Sequence, residues 1–245
     1  MTPASPPLAA GSAFWQRFLC DQGRAMGLDI SAGQAGLLGR HAAELDRWNK
    51  KINLTAITDP AETAVKHFLD SLAPAQWIPA GALLMDIGSG GGFPGLPLKI
   101  IRPDLRVILV EATGKKVSFL TQVIRLLELD GIQALHGRAE APEDFPGLPG
   151  ACDVVIGRAL AALDKFVVLA HPFLRPDGRL IAMKQENPDH EIADLGRLTL
   201  GRSRDVPATD LFSVQMRDYR LPWTGDRRSL VILDLPRRQK DPAGN

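Results

Sequence analysis

Through the first third of the chain apolar residues recur at three- and four-residue intervals, then give way to short continuous runs. Leu37, Leu38, His41, Leu45 and Trp48 form one stripe; Ala61, Val65, Phe68, Leu69 and Leu72 form a second. Asp59-Pro60-Ala61-Glu62 opens the second stripe. There Asp59 caps, Pro60 suits the first turn, and Glu62 complements the positive end of the helix dipole. No strand pattern precedes Leu83, so residues 13–80 are expected to form an N-terminal helical cap. Residues 1–12, rich in Pro, Ala, Gly and Ser, are expected to be disordered.

From Leu83 onward the pattern changes to runs that suit buried strands. These are Leu83–Ile87, Arg106–Glu111, Ile132–His136, Asp153–Ile156 and Arg179–Met183. Helical segments separate them, notably Lys115–Leu129 and Leu163–His171. Alternation of this kind predicts a parallel sheet with right-handed crossovers. Phe212–Leu221 and Ser229–Leu235 are joined by only seven residues, Pro222 to Arg228. That link is too short for a helical crossover, so the last pair is expected to be antiparallel. The expected fold is α/β: a Rossmann-like doubly wound sheet over residues 81–236, ending in a C-terminal antiparallel hairpin. A flexible tail, 237–245, follows.

Composition excludes several classes. The 245 residues are 45% hydrophobic and 23% charged, with 29 Lys+Arg against 28 Asp+Glu and a net charge of +1. A polycationic coat protein is excluded; a local basic face is not. Between Arg197 and Lys240 there are ten basic and five acidic residues. Cys20 and Cys152 stand far apart without CxxC spacing, so neither a disulfide scaffold nor structural zinc is expected. The five histidines are scattered, and no metal site is expected. No apolar run approaches the roughly 20 residues that span a bilayer. The start lacks the basic and apolar regions of a signal peptide. The expected setting is the cytoplasm, without a membrane, and as a monomer.

The stretch richest in chemistry is Asp86-Ile87-Gly88-Ser89-Gly90-Gly91-Gly92-Phe93-Pro94-Gly95. A glycine turn between a first strand and a helix lets a ligand approach the backbone. Glu111, ending the second strand, is placed for the ribose hydroxyls of an adenosine. Gly90, Gly92 and Gly95 satisfy G-x-G-x-x-G, a weak signal that a dinucleotide site or a plain tight turn would also produce. Pro94 removes an amide that a pyrophosphate would use. Asp86 is expected to add negative charge beside the site. Both features favour a cationic, phosphate-free ligand such as S-adenosylmethionine. Ala139 and Glu140, after the third strand, suit an adenine edge or a solvated loop. Arg158, after the fourth, suits a cofactor or an anionic substrate, or else a helix cap.

Several ordered motifs carry a resemblance. Trp48-Asn49-Lys50 precedes Asn53-Leu54-Thr55, then come His67-Phe68-Leu69-Asp70-Ser71, the glycine turn, Gly114-Lys115-Lys116 with Phe119-Leu120, and Arg158-Ala159. From about Leu45 to Leu235 the chain resembles the glucose-inhibited division protein B family, bacterial methyltransferases of a guanine N7 in small-subunit (16S) ribosomal RNA. The resemblance implies a fold of the S-adenosylmethionine-dependent methyltransferase type. It also implies that Gly88, Gly90, Phe93, Glu111, Ala139, Glu140 and Arg158 bind that cofactor. Glu111 stands where aspartate is common, and Gln185 follows Lys184 where the family often has glycine. Small-subunit rRNA, or an assembly intermediate of the subunit, is the implied partner.

No catalytic base is identified. Guanine N7 needs none, because its lone pair lies in the ring plane. Gly157-Arg158-Ala159-Leu160 replaces the Asn/Asp-Pro-Pro-Tyr expected of amino-group methyltransferases, and neither cysteine suits cytosine chemistry. Lys184, Lys50 and His67 are the residues expected to face RNA, with the basic C-terminal segment. The alternatives are a methyltransferase of small molecules or proteins, and a non-catalytic RNA-binding assembly factor.

Overall fold

The computed structural model describes residues 8–159, 162–185, 188–200 and 206–235. Helix α1 (Ala13–Ala25) starts where the Ser12 side chain accepts from the Trp15 amide. Helix α2 (Ala32–Asn49) starts at a reciprocal capping box between Ser31 and Gln34. The third helical segment, α3 (residues 60–72), begins at the Asp59 cap, with Pro60 in its first turn. Its middle, Thr63–Leu69, is wound as a π-helix before α-geometry returns at Asp70. Such wide turns re-aim side chains and recur at functional sites. Here Lys66 and His67 lie on that turn.

Strands β1 (Leu83–Ile87), β2 (Arg106–Glu111), β3 (Ile132–His136), β4 (Cys152–Arg158) and β5 (Leu174–Lys184) are parallel. A short pair, β6 (Thr199–Leu200) and β7 (Val206–Pro207), stands apart. Strands β8 (Ser213–Arg220) and β9 (Arg227–Asp234) form the expected antiparallel hairpin, and β9 runs antiparallel to β5. The sheet order is β3-β2-β1-β4-β5-β9-β8. Since β1 pairs with both β2 and β4, the chain leaves it in opposite directions, which opens a crevice beyond the carboxyl ends of β1 and β4.

Side-chain alternation along β1 assigns Leu84 to one apolar cluster and Met85 and Ile87 to the other. The first cluster unites cap and sheet: Trp15, Leu38 and Phe68 pack with Leu84, Leu109 and Phe119. The indole of Trp15 also donates to the Pro60 carbonyl at 2.8 Å, tying α1 to α3.

Three boundaries differ from the sequence reading. Residues 8–12 are ordered against the cap, since Leu8 and Ala10 pack on the core. Gly11 presses so closely on Gly39 that a Cβ would stand 2.1 Å from its carbonyl oxygen. Strand β5 starts at Leu174 rather than Arg179, because pairing skips from Cys152↔Leu174 to Val154↔Arg179 around Pro176-Asp177-Gly178. That Pro-Gly stretch hides the irregular strand start from any pattern. Strand β4 takes in Cys152 and Arg158 at its two ends. The expected tail 237–245, with Arg237, Arg238 and Lys240, and also residues 1–7, Arg202 and Arg204, lie outside the described residues. Among the described residues no helix is long and apolar enough to cross a membrane, and no group of ligating side chains suits a metal ion.

Candidate active site

The glycine turn is held from both sides. Gly88 and Ser89 amides donate to the Val110 carbonyl at 2.8 and 3.2 Å, so the turn rests on the end of β2. Gly92 and Phe93 amides return to the Ser89 carbonyl. Gly88, Gly90 and Gly92 have φ of +73°, +53° and +90°, which only glycine adopts without strain. A Cβ on Gly90 would meet nothing nearer than the Gly88 carbonyl oxygen at 3.8 Å, leaving that face open. Glu111 is buried, accepting from the Gly90 amide at 3.0 Å on one oxygen and the Thr113 amide at 2.8 Å on the other. Each oxygen keeps a lone pair for a ribose hydroxyl, so the carboxylate fits the cofactor as well as the loop. The Gly137 amide donates to the Glu111 carbonyl, which brings the loop bearing buried Ala139 and exposed Glu140 beside it.

Asp86 does not face this site. Strand alternation turns it to the side of Leu84, where it is wholly buried and accepts from the Gly95 amide at 2.9 Å. Burial lifts its carboxyl to about 7 against the opposing pull of that amide. Its role is to begin helix α4 (Gly95–Ile101), and the expected negative charge beside the ligand is withdrawn.

Beyond the turn lies a cavity of about 220 Å³. It gathers Gly88, Gly90, Phe93, Arg158, Lys184 and His67 from the sequence reading. Lys66, Asp70 and Arg228 join them. Phe93 is the pivot: its ring stacks against His41 at 5.0 Å and against His67 at 4.8 Å, and the Arg158 guanidinium stands 5.1 Å from its centre. Arg158 donates to the Lys66 carbonyl at 2.8 Å, to Asp70 at 3.3 Å and to Nδ1 of His67 at 3.1 Å. With Nδ1 accepting, His67 is a neutral ring that donates from Nε2 to the Thr55 hydroxyl at 2.6 Å. Burial, and then the Arg158 charge, push its pKa down to about 3.

Two supports come from far along the chain. Asp70 accepts from the Tyr219 hydroxyl at 2.7 Å and lies 3.8 Å from Arg228, so the hairpin steadies the carboxylate that steadies Arg158. Asn49 accepts from the Leu54 and Thr55 amides at 2.8 and 3.0 Å and donates to the Thr55 carbonyl at 2.9 Å. That bracket fixes the loop whose Thr55 holds His67. Tyr219 and Arg228 were not singled out by sequence reasoning; the one available signal is that Tyr219 is the chain's single tyrosine. Lys50 lies away from the cavity, exposed and paired with Asp46 at 2.9 Å one turn earlier. Every cation of the cavity has a carboxylate: Lys66 with Glu62, Arg158 with Asp70, Lys184 with Glu191, and Arg228 with Asp226. Cys152 is buried and its thiol is pushed up to about 12 by desolvation, which excludes a thiolate nucleophile there.

His41 carries the turn from the cap side. Its Nε2 lies 2.8 Å from the Gly91 carbonyl and donates to it, while buried Nδ1 has no partner among the described residues. Burial lowers its pKa to about 4. A folded pKa below the unfolded one means that stability is fully present above about pH 6.5 and is lost as pH falls toward 4. The excess stability of the wild type over His41→Gln is therefore expected to shrink by about 3 kcal/mol between pH 7 and pH 4. Thermal melts of the two proteins across that range check it; a constant difference contradicts a neutral buried ring.

Comparison with known proteins agrees with this geometry. A family model described as rRNA small subunit methyltransferase G (GidB) matches residues 34–209. A ribosomal RNA small subunit methyltransferase G from Geobacter sp. (strain M21) is 41% identical over 209 residues, 85% of this chain and 92% of that one. The protein of that name from Myxococcus xanthus is 41% identical over 210 residues, with the same coverage. Among solved structures the chain is similar to M. jannaschii TYW2 in complex with AdoMet, with TM-score 0.53, 15% identity, and 77% and 80% of the two chains covered. It is also similar to the B. subtilis M1A22 tRNA methyltransferase TrmK, with TM-score 0.52, 15% identity, and 69% and 66% covered. Those likenesses establish the fold. With the family model spanning most of the chain, and with relatives matching nearly end to end, this chain belongs to the rRNA small subunit methyltransferase G family.

Proposed function

We propose that the protein transfers a methyl group from S-adenosylmethionine to N7 of a guanine in small-subunit ribosomal RNA. Methyl transfer to that RNA is the activity named for its family and its relatives. S-adenosylmethionine supplies an electrophilic methyl group on a sulfonium. Gly88, Gly90 and Phe93 form its cradle, Glu111 takes the ribose, Ala139 and Glu140 flank the adenine, and Arg158 closes the cavity. Lys184 and His67 lie toward the RNA at the cavity, and exposed Lys50 faces it from outside the cavity lining.

The observation that carries the N7 acceptor is the state of His67. Both of its nitrogens are engaged, one accepting from Arg158 and one donating to Thr55, and its pKa lies far below neutrality. Asp70 is likewise held by Arg158 and Tyr219. Among the described residues lining the cavity, no free base stands ready to strip a proton. An amino group or a ribose hydroxyl needs that help; guanine N7 does not. The chain's work is then alignment of donor and acceptor and exclusion of water.

Purified protein, S-adenosylmethionine and small-subunit rRNA from cells lacking this protein are expected to yield 7-methylguanosine on nucleoside mass mapping. A ribose or amino-group product overturns the N7 assignment. Absence of S-adenosylmethionine binding by calorimetry overturns the reaction as a whole.

A further inference from the structure

We propose that Arg220 and Arg227, opposed across the β8–β9 hairpin, form a clamp for a backbone phosphate of the RNA strand flanking the target nucleotide; this rests on the rRNA reading above. The register pairs Arg220 directly with Arg227. Like charges set opposite one another in an antiparallel pair cost stability, so folding alone does not explain the pairing. Both residues are exposed. The Arg227 guanidinium makes no hydrogen bond or ion pair to a described residue, and Arg220 reaches only the Gly225 carbonyl at 3.3 Å. This contrasts with the cavity, where each cation has its own carboxylate. The neighbouring Asp218 is turned to the Ser229 hydroxyl at 2.7 Å.

Position joins this pair to the cavity. Lys184 pairs with Ser229, and Ser229 with Asp218, so this row and the Arg227–Arg220 row share one face of the sheet, two residues apart. That is a step of about 7 Å outward from the row that holds Lys184, which lines the cavity. Between the two rows Arg228 lines both the cavity and a groove shared with Arg220 and Arg227. Arginine forks fit phosphate oxygens in pairs, and RNA is held chiefly through phosphates. An anion between Arg220 and Arg227 turns a repulsive pair into a binding site.

The test is the double variant Arg220→Gln/Arg227→Gln, with Arg106→Gln at the amino end of β2 as the control. The double variant is expected to melt no lower than the wild type, since a repulsion is removed, and to bind S-adenosylmethionine equally well. Its KM for small-subunit rRNA is expected to rise roughly tenfold with kcat nearly unchanged, and the slope of log affinity against log salt to fall by about one to two. The control is expected to match the wild type. An unchanged slope and KM in the double variant, with an active wild type, overturns the clamp and leaves the function standing. Loss of binding to a ribosomal subunit but not to naked rRNA also overturns it, by assigning the pair to a protein surface. An inactive wild type rejects the functional reading on which the clamp rests.

Discussion

Arg158→Ala is expected to slow methyl transfer by about 10²- to 10³-fold at saturating S-adenosylmethionine and RNA. The guanidinium lines the cavity and sets His67, Asp70 and the π-turn carbonyl of Lys66 in one arrangement. Its removal leaves Asp70, which is 5% exposed, with the Tyr219 hydroxyl and a long 3.8 Å contact to Arg228. Breaking a buried pair by deleting one partner costs on the order of 3–5 kcal/mol, so a lower melting temperature is expected as well. Arg158→Lys is expected to restore little, because a single ammonium cannot serve three separated acceptors. Turnover measured below each variant's melting temperature separates the two effects. A loss of less than tenfold in folded Arg158→Ala places the residue outside the chemistry.

Gly92→Ala is expected to destabilise the protein by about 2–4 kcal/mol and to weaken S-adenosylmethionine binding by more than tenfold. At φ +90° an alanine is strained before any contact is considered. Its Cβ would also stand 2.3 Å from Leu96 Cδ1 and 3.3 Å from Leu120 Cδ2, both buried in the shared core. Relief must come from the turn itself, which moves the Gly90 amide away from Glu111. For a chain of this size such a loss lowers the melting temperature by roughly 4–16 °C. Calorimetry for the cofactor and a thermal melt read both effects; normal values for both mean that the turn has slack.

Local pattern made the sheet, the hairpin and the glycine turn legible, because strand alternation and turn chemistry act over a few residues. The cavity was legible in part. Gly88, Phe93, Arg158, Lys184 and His67 were found through motifs. The reason Phe93 matters was not visible, because His41 and His67 meet its ring from two separate helices. Tyr219 reaches Asp70 across 149 residues of chain, a distance over which no spacing rule operates. One misreading had a local remedy. The period of two along β1 already turns Asp86 to the side of Leu84.

The bond between Tyr219 and Asp70 bears on how the protein comes into being. A nascent chain emerges amino end first, so the cap helices leave the ribosome long before their partners. His41 waits for Gly91, and Asp70 waits first for Arg158 and then for Tyr219 of the hairpin. A chain that stops before residue 219 therefore leaves Asp70 without the Tyr219 hydroxyl and the cavity without Arg228.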